Sequence, residues 1–228
     1  MWADRAHDER RHVDAAVETW VWWGSEVDGA GSPLLAWFVG VELRGRRFDY
    51  WAGLARRDVP YLYVEELDGT GLRDGLELKP PEMWAGHDCD VPFGQWSLGN
   101  EAHGVLLDDA DDALRRAFGE RAPITTDIEW YAAGEPEVLD LTPGADGYRQ
   151  RGDYDARFET ADGVVASVGS ASRVHVWGTP WRPAVDASMP TADTLRGSLH
   201  LPYRRADGTG IVQVVTADGW WARTVHVQ

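Results

Sequence analysis

The chain of 228 residues contains a single cysteine, Cys89. One thiol cannot form an internal disulfide, so nothing in the sequence depends on an oxidising compartment. No apolar run approaches the roughly 20 residues that a membrane-spanning helix needs. The first 20 residues also lack the apolar stretch of a secretory signal. These absences predict a cytoplasmic protein without an integral membrane segment.

Basic residues are in short supply as well. The chain has 22 Lys and Arg against 38 Asp and Glu, which gives a formal net charge of −16. Proteins that bind nucleic acids or anionic membrane surfaces use cationic patches to displace counterions. The charge therefore argues against nucleic acid as a partner, and no sequence feature indicates an oligomeric state.

Several local signatures of catalysis are missing. There is no Gly-rich phosphate loop, no dinucleotide-binding fingerprint and no Gly-x-Ser-x-Gly elbow. The paired-cysteine and His-Glu-x-x-His spacings of zinc sites do not occur either. We therefore expect neither nucleotide chemistry nor serine hydrolysis, and we predict no metal and no cofactor.

Tryptophan, by contrast, is abundant. The chain has 13 Trp beside 7 Tyr and 5 Phe, which reverses the usual order of aromatic abundance. Indole rings supply large, rigid walls around ligands, but they also pack protein cores. The sequence leaves both interpretations open.

Most of the chain consists of short β-prone runs separated by Gly, Asp and Pro. The pairs Asp162-Gly163, Asp207-Gly208 and Asp218-Gly219 predict three hairpin turns. Helical spacing of apolar residues predicts one short helix over residues 2–20 and another over residues 109–120.

A helix near the middle of the chain, with β-rich sequence on both sides, predicts two β modules. The first would cover residues 1–121 and include the leading helix, and the second would cover residues 122–228. Antiparallel strands that follow one another along the chain close into barrels or stack as sandwiches, which removes their unpaired edges. The expected fold class is therefore mainly β, with two antiparallel barrel or sandwich modules.

The run of residues 172–181 places a base, a cation and a large aromatic ring on one strand face. Because side chains alternate in a strand, Arg173, His175 and Trp177 share one side, with Val174 and Val176 on the other. A lone strand histidine is often a hydrogen-bonded structural residue. In this company it is also a candidate catalytic base, with Arg173 available for a polar end of a substrate.

Alternation in residues 125–131 places Asp127, Glu129 and Tyr131 on one face. If this face looks into an aromatic cavity, desolvation would raise a carboxyl pKa and make it a general acid. If the face looks outward, these residues are solvated acids.

The segment of residues 83–103 is dense in polar and aromatic residues. Asp88 is a third candidate acid there, unless the segment is only a structured loop whose Asp and Asn residues cap backbone amides. Together with the two strands above, this segment completes the candidate substrate-binding residues, which are Trp84, Trp96, Glu101, Trp130, Tyr131, Arg173 and Trp177.

Four stretches carry a resemblance to a known family: Trp20-Val-Trp-Trp-Gly24, residues 84–93, residues 127–130 and His175-Val-Trp-Gly178. In kind and order they resemble the two-module, lipocalin-like proteins related to carotenoid 1,2-hydratase (hydroxyneurosporene synthase) and AttH. The resemblance implies two calycin-like β modules that enclose an apolar site. It also implies hydration, cyclisation or rearrangement of isoprenoid- or polyketide-like compounds of secondary metabolism, such as terpenoids, without a redox cofactor.

The leading functional hypothesis is therefore a cofactor-independent lyase or isomerase, of the cyclase or hydratase type, that acts on a hydrophobic small molecule. A buried carboxyl (Asp127, Glu129 or Asp88) would be the general acid, and His175 would act as the base or orient the acid. Indole faces would stabilise a carbocation without competing for it as nucleophiles. Two alternatives are a non-catalytic carrier for a hydrophobic ligand, and a carbohydrate-binding or glycoside-cleaving protein with paired acids along an open groove.

Overall fold

The computed structural model describes residues 2–183 and 197–227. Two short 3₁₀ helices, Trp2–Glu9 and Ala110–Leu114, accompany the strands in this part of the chain. The strands are β1 (Glu18–Val27), β2 (Pro33–Arg44), β3 (Arg47–Arg56), β4 (Val59–Gly69), β5 (Met83–Val91), β6 (Gln95–Leu107), β7 (Glu120–Ala132), β8 (Glu137–Val138), β9 (Asp146–Thr160), β10 (Gly163–Trp177), β11 (Leu199–Arg204), β12 (Thr209–Thr216) and β13 (Gly219–His226).

Eight of these strands form a closed antiparallel barrel. Their order around the barrel is β1, β2, β3, β4, β6, β7, β9 and β10, and β10 pairs back with β1. The strands β5 and β8 pair only with β6 and β9, respectively. Closure leaves no free edge in the ring of eight strands, which is how antiparallel folds avoid edge-to-edge aggregation. Within the described residues, no helix has the length and apolar character needed to span a membrane.

A second layer covers part of the barrel from outside. The strands β11, β12 and β13 form a separate antiparallel sheet, and its inner face packs against outward-facing residues of β2, β3 and β4 such as Phe38, Trp51 and Tyr61. The indole N–H of Trp51 donates to the carbonyl of Arg204 over 2.6 Å. Because β2 is covered on both faces, almost every residue in it is buried and it lacks the in–out alternation of β7.

The mainly β, barrel-type fold class expected from the sequence is confirmed. The described residues form one barrel of eight strands and one three-stranded sheet, and the barrel takes strands from both sides of residue 121. Strand β7 itself runs across that position. The division into folding units of residues 1–121 and 122–228 stays a prediction. The three hairpins expected at residues 162–163, 207–208 and 218–219 are confirmed.

Both helix predictions need correction. In the middle of the chain only Ala110–Leu114 is helical, and β7 already begins at Glu120, which pairs with Leu106. The backbone of Gly119 approaches the Leu106 carbonyl so closely that a Cβ there would collide with it. Strand pairing thus overrides a weak helical periodicity. At the N-terminus the 3₁₀ helix ends at Glu9, and Trp20 lies in β1.

Candidate functional site: a buried polar network beside a cavity

The strand face that carries Arg173 and His175 looks into the barrel. The two residues pair in register with Trp22 and Trp20 of β1. The guanidinium of Arg173 lies over the ring of Trp130, 4.9 Å from its centroid, although β7 is not a neighbour of β10 in the barrel. His175 and Arg173 are 0% and 1% exposed. Their strand face therefore belongs to the barrel interior.

Arg173 forms a bidentate ion pair with Glu9 of the N-terminal segment. The two nitrogen–oxygen distances are 2.6 Å and 2.8 Å, and both side chains are about 1% exposed. Trp96 Nε1 and the Tyr148 hydroxyl donate to the two oxygens of Glu9, over 2.8 Å and 2.6 Å. The guanidinium also donates to the amide oxygen of Gln150. A buried charge pair needs this degree of hydrogen bonding to offset its desolvation.

The electrostatics of this pair keep Glu9 ionised. Burial alone would raise the pKa of its carboxyl. The hydrogen bonds and charge of Arg173, with the hydrogen bonds from Tyr148 and Trp96, outweigh burial and hold the pKa below its ordinary value. Glu9 is therefore a carboxylate at neutral pH, and not a proton donor.

A second cluster joins this network through Tyr148. The hydroxyl of Tyr148 lies 3.4 Å from Nδ1 of His175, and Nε2 of His175 lies 2.9 Å from Oε1 of Glu18. The same oxygen is 2.7 Å from Nδ1 of His12. Burial lowers the pKa of His175 despite the charge of Glu18, so its imidazole is neutral. Burial would raise the pKa of Glu18, but its bonds to His12 and His175 prevail and lower it.

Aromatic rings hold both imidazoles of this cluster in place. Trp20 stacks on His175 with a centroid separation of 4.4 Å, and Trp177 stacks on His12 at 4.1 Å. Stacking of this kind fixes the ring planes.

A cavity of about 350 Å³ adjoins the network. Its wall combines apolar side chains with polar groups and a thiol, namely Glu9, Trp20, Leu76, His87, Asp88, Cys89 and Trp96, with Arg10, Arg11 and Gly75. This mixture of aromatic surface and a few polar groups is typical of small-molecule sites.

Two groups in the cavity wall are kept neutral by their surroundings. Burial lowers the pKa of His87 to about 4, and neither ring nitrogen has a side-chain hydrogen-bond partner among the described residues. Burial, helped by the nearby charge of Glu9, raises the pKa of the Cys89 thiol to about 12. The sulfur lies 3.7 Å from Oε2 of Glu9. Beside the side chains of Asp88, Arg10 and Arg11, the cavity wall thus presents the carboxylate of Glu9, one neutral imidazole and one neutral thiol.

The structure brings several of the sequence-predicted site residues together. Arg173, His175, Trp96 and Trp130 all face the barrel interior and are buried. Trp177 is partly buried and lies against His12 at the edge of the same region.

The predicted acids of β7 lie on the other side of the barrel wall. Asp127 and Tyr131 are exposed, and Glu129 is partly exposed with hydrogen bonds to Gln95 and Ser97. The residues that alternate with them, such as Trp130, fill the interior. The burial that an acid role for Asp127 or Glu129 required is therefore absent, because the pleat turns both carboxyls to the outer face.

The remaining predicted residues lie on or near β5. Asp88 is exposed, but it reaches the cavity wall. Trp84 donates its indole N–H to Glu77 over 3.2 Å and lines a separate surface pocket with the exposed Glu101. Trp84 and Glu101 are therefore not part of the interior network.

Sequence reasoning missed several residues of the site. Strand alternation in residues 146–160 would have placed Tyr148 and Gln150 on one face, so a signal for them existed. Glu9 and His12 had none, because they lie among many charged residues of an N-terminal segment without strand periodicity.

Comparisons with known proteins found no matching family model and no matching curated protein. Among solved structures, a protein assigned as AttH from Nitrosomonas europaea is 14% identical, with a TM-score of 0.47; the match covers 96% of this chain and 71% of that one. CghA in a structure with Sch210972 is 13% identical with a TM-score of 0.38, covering 92% of this chain and 56% of CghA. A second CghA structure gives 15% identity, a TM-score of 0.38, and coverages of 89% and 54%.

Proposed function

We propose that this protein is an enzyme of the lyase or isomerase type, a cyclase or hydratase, that acts on a hydrophobic isoprenoid- or polyketide-like small molecule without a redox cofactor. Membership of the lipocalin-like family around carotenoid 1,2-hydratase and AttH is part of the proposal. The observation that carries it is the cavity wall, which combines the indoles of Trp20 and Trp96 with the carboxylate of Glu9 and the neutral imidazole of His87.

The cavity suits a reaction in which positive charge develops on carbon. Indole faces attract a cation by about 0.5 to 2 kcal/mol each. Glu9 lies in the cavity wall and its counter-ion Arg173 does not, so the ion pair presents its negative end to the cavity, in surroundings of low dielectric where an oriented dipole acts strongly. Trp96 and Glu9 are held rigidly because the indole N–H donates to that carboxylate.

His87 is the proton acceptor in this proposal. A carbocation is a very strong acid, so a weak base is sufficient to take a proton from the neighbouring carbon. The low pKa of His87 keeps its ring unprotonated at neutral pH and therefore ready to accept. The absence of a side-chain partner among the described residues leaves a ring nitrogen available.

Asp88 is the proton donor in this proposal, since it alone of the three predicted acids reaches the cavity. Its side chain is exposed, so the role requires a bound hydrophobic substrate to shield the carboxyl from water and favour its protonated form. His175 and Arg173 act as positioning residues. Arg173 holds the carboxylate of Glu9, and His175 contacts the hydroxyl of Tyr148, which donates to the same carboxylate.

A carrier without turnover is the second candidate, and one observation favours it. Both oxygens of Glu9 are already engaged by Arg173, Trp96 and Tyr148, so the network is complete without a substrate. A carrier would use the same cavity and return its ligand unchanged.

The test begins with native mass spectrometry of the purified protein and extraction of any small molecule that accompanies it. Recovered compounds and a panel of isoprenoid and polyketide polyenes are then incubated with fresh protein and analysed by liquid chromatography and mass spectrometry. New products of unchanged mass, or of mass increased by water, support the enzyme. Compounds that bind and return unchanged support the carrier.

Matched variants then test the assigned roles. Asp88→Asn should abolish turnover with little change in ligand affinity, whereas Asp127→Asn, the same change on the outer face of the barrel, should leave turnover intact. His87→Leu should likewise lose turnover, and the exposed His103→Leu should not. Loss of turnover in Asp127→Asn with full activity in Asp88→Asn would overturn the assignment of the acid.

A further inference from the structure

Three side chains that could bind a metal ion converge where β1 begins. His12, Glu18 and His175 each offer one ligand atom, and these atoms all lie within 4.8 Å of one another. We propose that they form a binding site for a divalent ion of the zinc type. The site goes beyond the proposed function and does not depend on it, because the cavity beside His87 has its own reactive groups.

The donor set selects the kind of ion. Two imidazole nitrogens and one carboxylate oxygen are ligands that zinc prefers, and zinc sites with three protein ligands leave a fourth position for water. Calcium and magnesium favour sites built from oxygen atoms alone. The set formed by His12, Glu18 and His175 therefore fits a first-row transition ion better than either of these.

The distances between the ligand atoms fit an ion after a small movement. Oε1 of Glu18 lies 2.7 Å from Nδ1 of His12 and 2.9 Å from Nε2 of His175. Around an ion with bonds of about 2.1 Å, neighbouring ligand atoms are about 3.0 Å apart in an octahedron and about 3.4 Å apart in a tetrahedron. For a tetrahedral ion these two distances would lengthen by about 0.5 to 0.7 Å, and the two imidazole nitrogens, which lie within 4.8 Å of each other, would come to about 3.4 Å. Oε2 of Glu18 would stay anchored meanwhile, because the backbone N–H of His12 donates to it over 2.9 Å.

The surroundings of His175 suit a metal ligand. Ligation through Nε2 places the ring proton on Nδ1, which lies 3.4 Å from the hydroxyl of Tyr148. That hydroxyl donates its own proton to Glu9 and can accept the one from His175. A partner on the second nitrogen is what fixes the tautomer and orientation of metal-bound histidines. The stacking of Trp20 on His175 adds a second restraint on the ring.

The site is closed on one side and reachable on the other. The side chains of His175 and Glu18 are 0% and 2% exposed, whereas that of His12 is 22% exposed. An ion can therefore enter past His12, and water can complete its coordination. Bound there, zinc would fasten residues 9–12 to β1 and β10, and this short segment carries Glu9 into the barrel.

The test uses the full chain without a histidine tag, first freed of metal with a chelator. In competition with a chromophoric chelator, the wild type should bind one zinc equivalent with a Kd below about 1 µM, and His12→Gln should weaken this at least about 100-fold. His103→Gln removes an exposed histidine of β6 and should bind like the wild type. Zinc should also raise the melting temperature of the wild type and of His103→Gln, but not that of His12→Gln.

His12 lies outside the strands and is partly exposed, so its replacement should leave the fold intact, which circular dichroism verifies. X-ray absorption of the zinc-loaded wild type gives a second measurement that needs no variant, and it should show two imidazole ligands. Wild-type binding weaker than about 10 µM, equal binding by His12→Gln, or a zinc shell without imidazole would overturn the proposal.

Discussion

Glu9 and Arg173 lie 164 residues apart in the sequence and form a bidentate ion pair inside the barrel. The pair fastens the N-terminal segment to β10, the strand that closes the barrel against β1. It also places an ionised carboxylate in the wall of the cavity. One contact thus links the packing of the N-terminal segment to the chemistry of the candidate site.

Removing one member of this pair should be strongly destabilising. Arg173→Met leaves the carboxylate of Glu9 buried without its counter-charge, and we expect a loss of about 3 to 5 kcal/mol in the free energy of unfolding. Urea denaturation measures this change. Arg121→Met, which breaks an exposed pair with Glu82, should cost less than about 1 kcal/mol. Similar losses in the two variants would contradict the role of the buried pair.

His87 should make the protein sensitive to acid in a defined pH range. Its pKa is about 4 in the folded state and about 6.5 when unfolded. The unfolded chain therefore takes up a proton that the folded chain refuses, and stability is lost as the pH falls from about 6.5 to about 4. The loss amounts to about 3 kcal/mol in total.

The difference in unfolding free energy between the wild type and His87→Leu isolates this effect. Relative to its value at pH 7, it should shift in favour of the variant by about 3 kcal/mol by pH 4. His103→Leu serves as the exposed control and should follow the wild type across the range. A constant difference between the wild type and His87→Leu would show that His87 does not titrate as the structure indicates.

Two glycines with positive φ should respond differently to alanine. Gly208 has φ +79° in a hairpin with open space around it, so Gly208→Ala should cost about 1 kcal/mol. Gly178 has φ +93°, and a Cβ there would collide with the carbonyl oxygen of Gly144. Gly178→Ala should therefore cost about 2 to 4 kcal/mol, as measured by thermal or urea unfolding. Equal costs would mean that the chain after Trp177 is less tightly packed than the structure shows.

Cys89 should be unreactive in the folded protein. Its thiol pKa of about 12 leaves very little thiolate at pH 8, and the thiolate is the reactive form. We expect a disulfide reagent to modify the native protein at least about 100-fold more slowly than the urea-unfolded chain. Comparable rates in both states would show that the thiol is neither desolvated nor affected by the charge of Glu9.

The local part of the fold could be predicted from the sequence. The Asp-Gly pairs mark three hairpins because glycine tolerates the backbone angles that tight turns need. Alternation also sorted Arg173 and His175 onto a face separate from Val174 and Val176. It could not say which face of a strand lies inside, since the apolar side of a strand can pack against a covering layer as well as into a barrel. Val174 and Val176 are in fact also buried.

Because alternation does not tell the inner face of a strand from the outer one, the predicted acids of β7 were placed in the interior by expectation only. Asp127 and Glu129 were correctly assigned to one face of β7, but that face is the outer one. The carboxyls that do lie inside, Glu9 and Glu18, come from the N-terminal segment and the first residue of β1. No periodicity connects them to Arg173 or His175, more than 150 residues away.

By itself the sequence determined the mainly β class, the hairpins and the residues that share a strand face, because these depend on short-range backbone preferences and on the twofold period of a strand. The tertiary structure alone decided the closure of β10 on β1, the inward direction of His175 and the meeting of Glu9 with Arg173. These features depend on which distant segments pack together, and on the free-energy cost of burying a charge without a partner. The ion pair offsets that cost only once the barrel has closed around both residues.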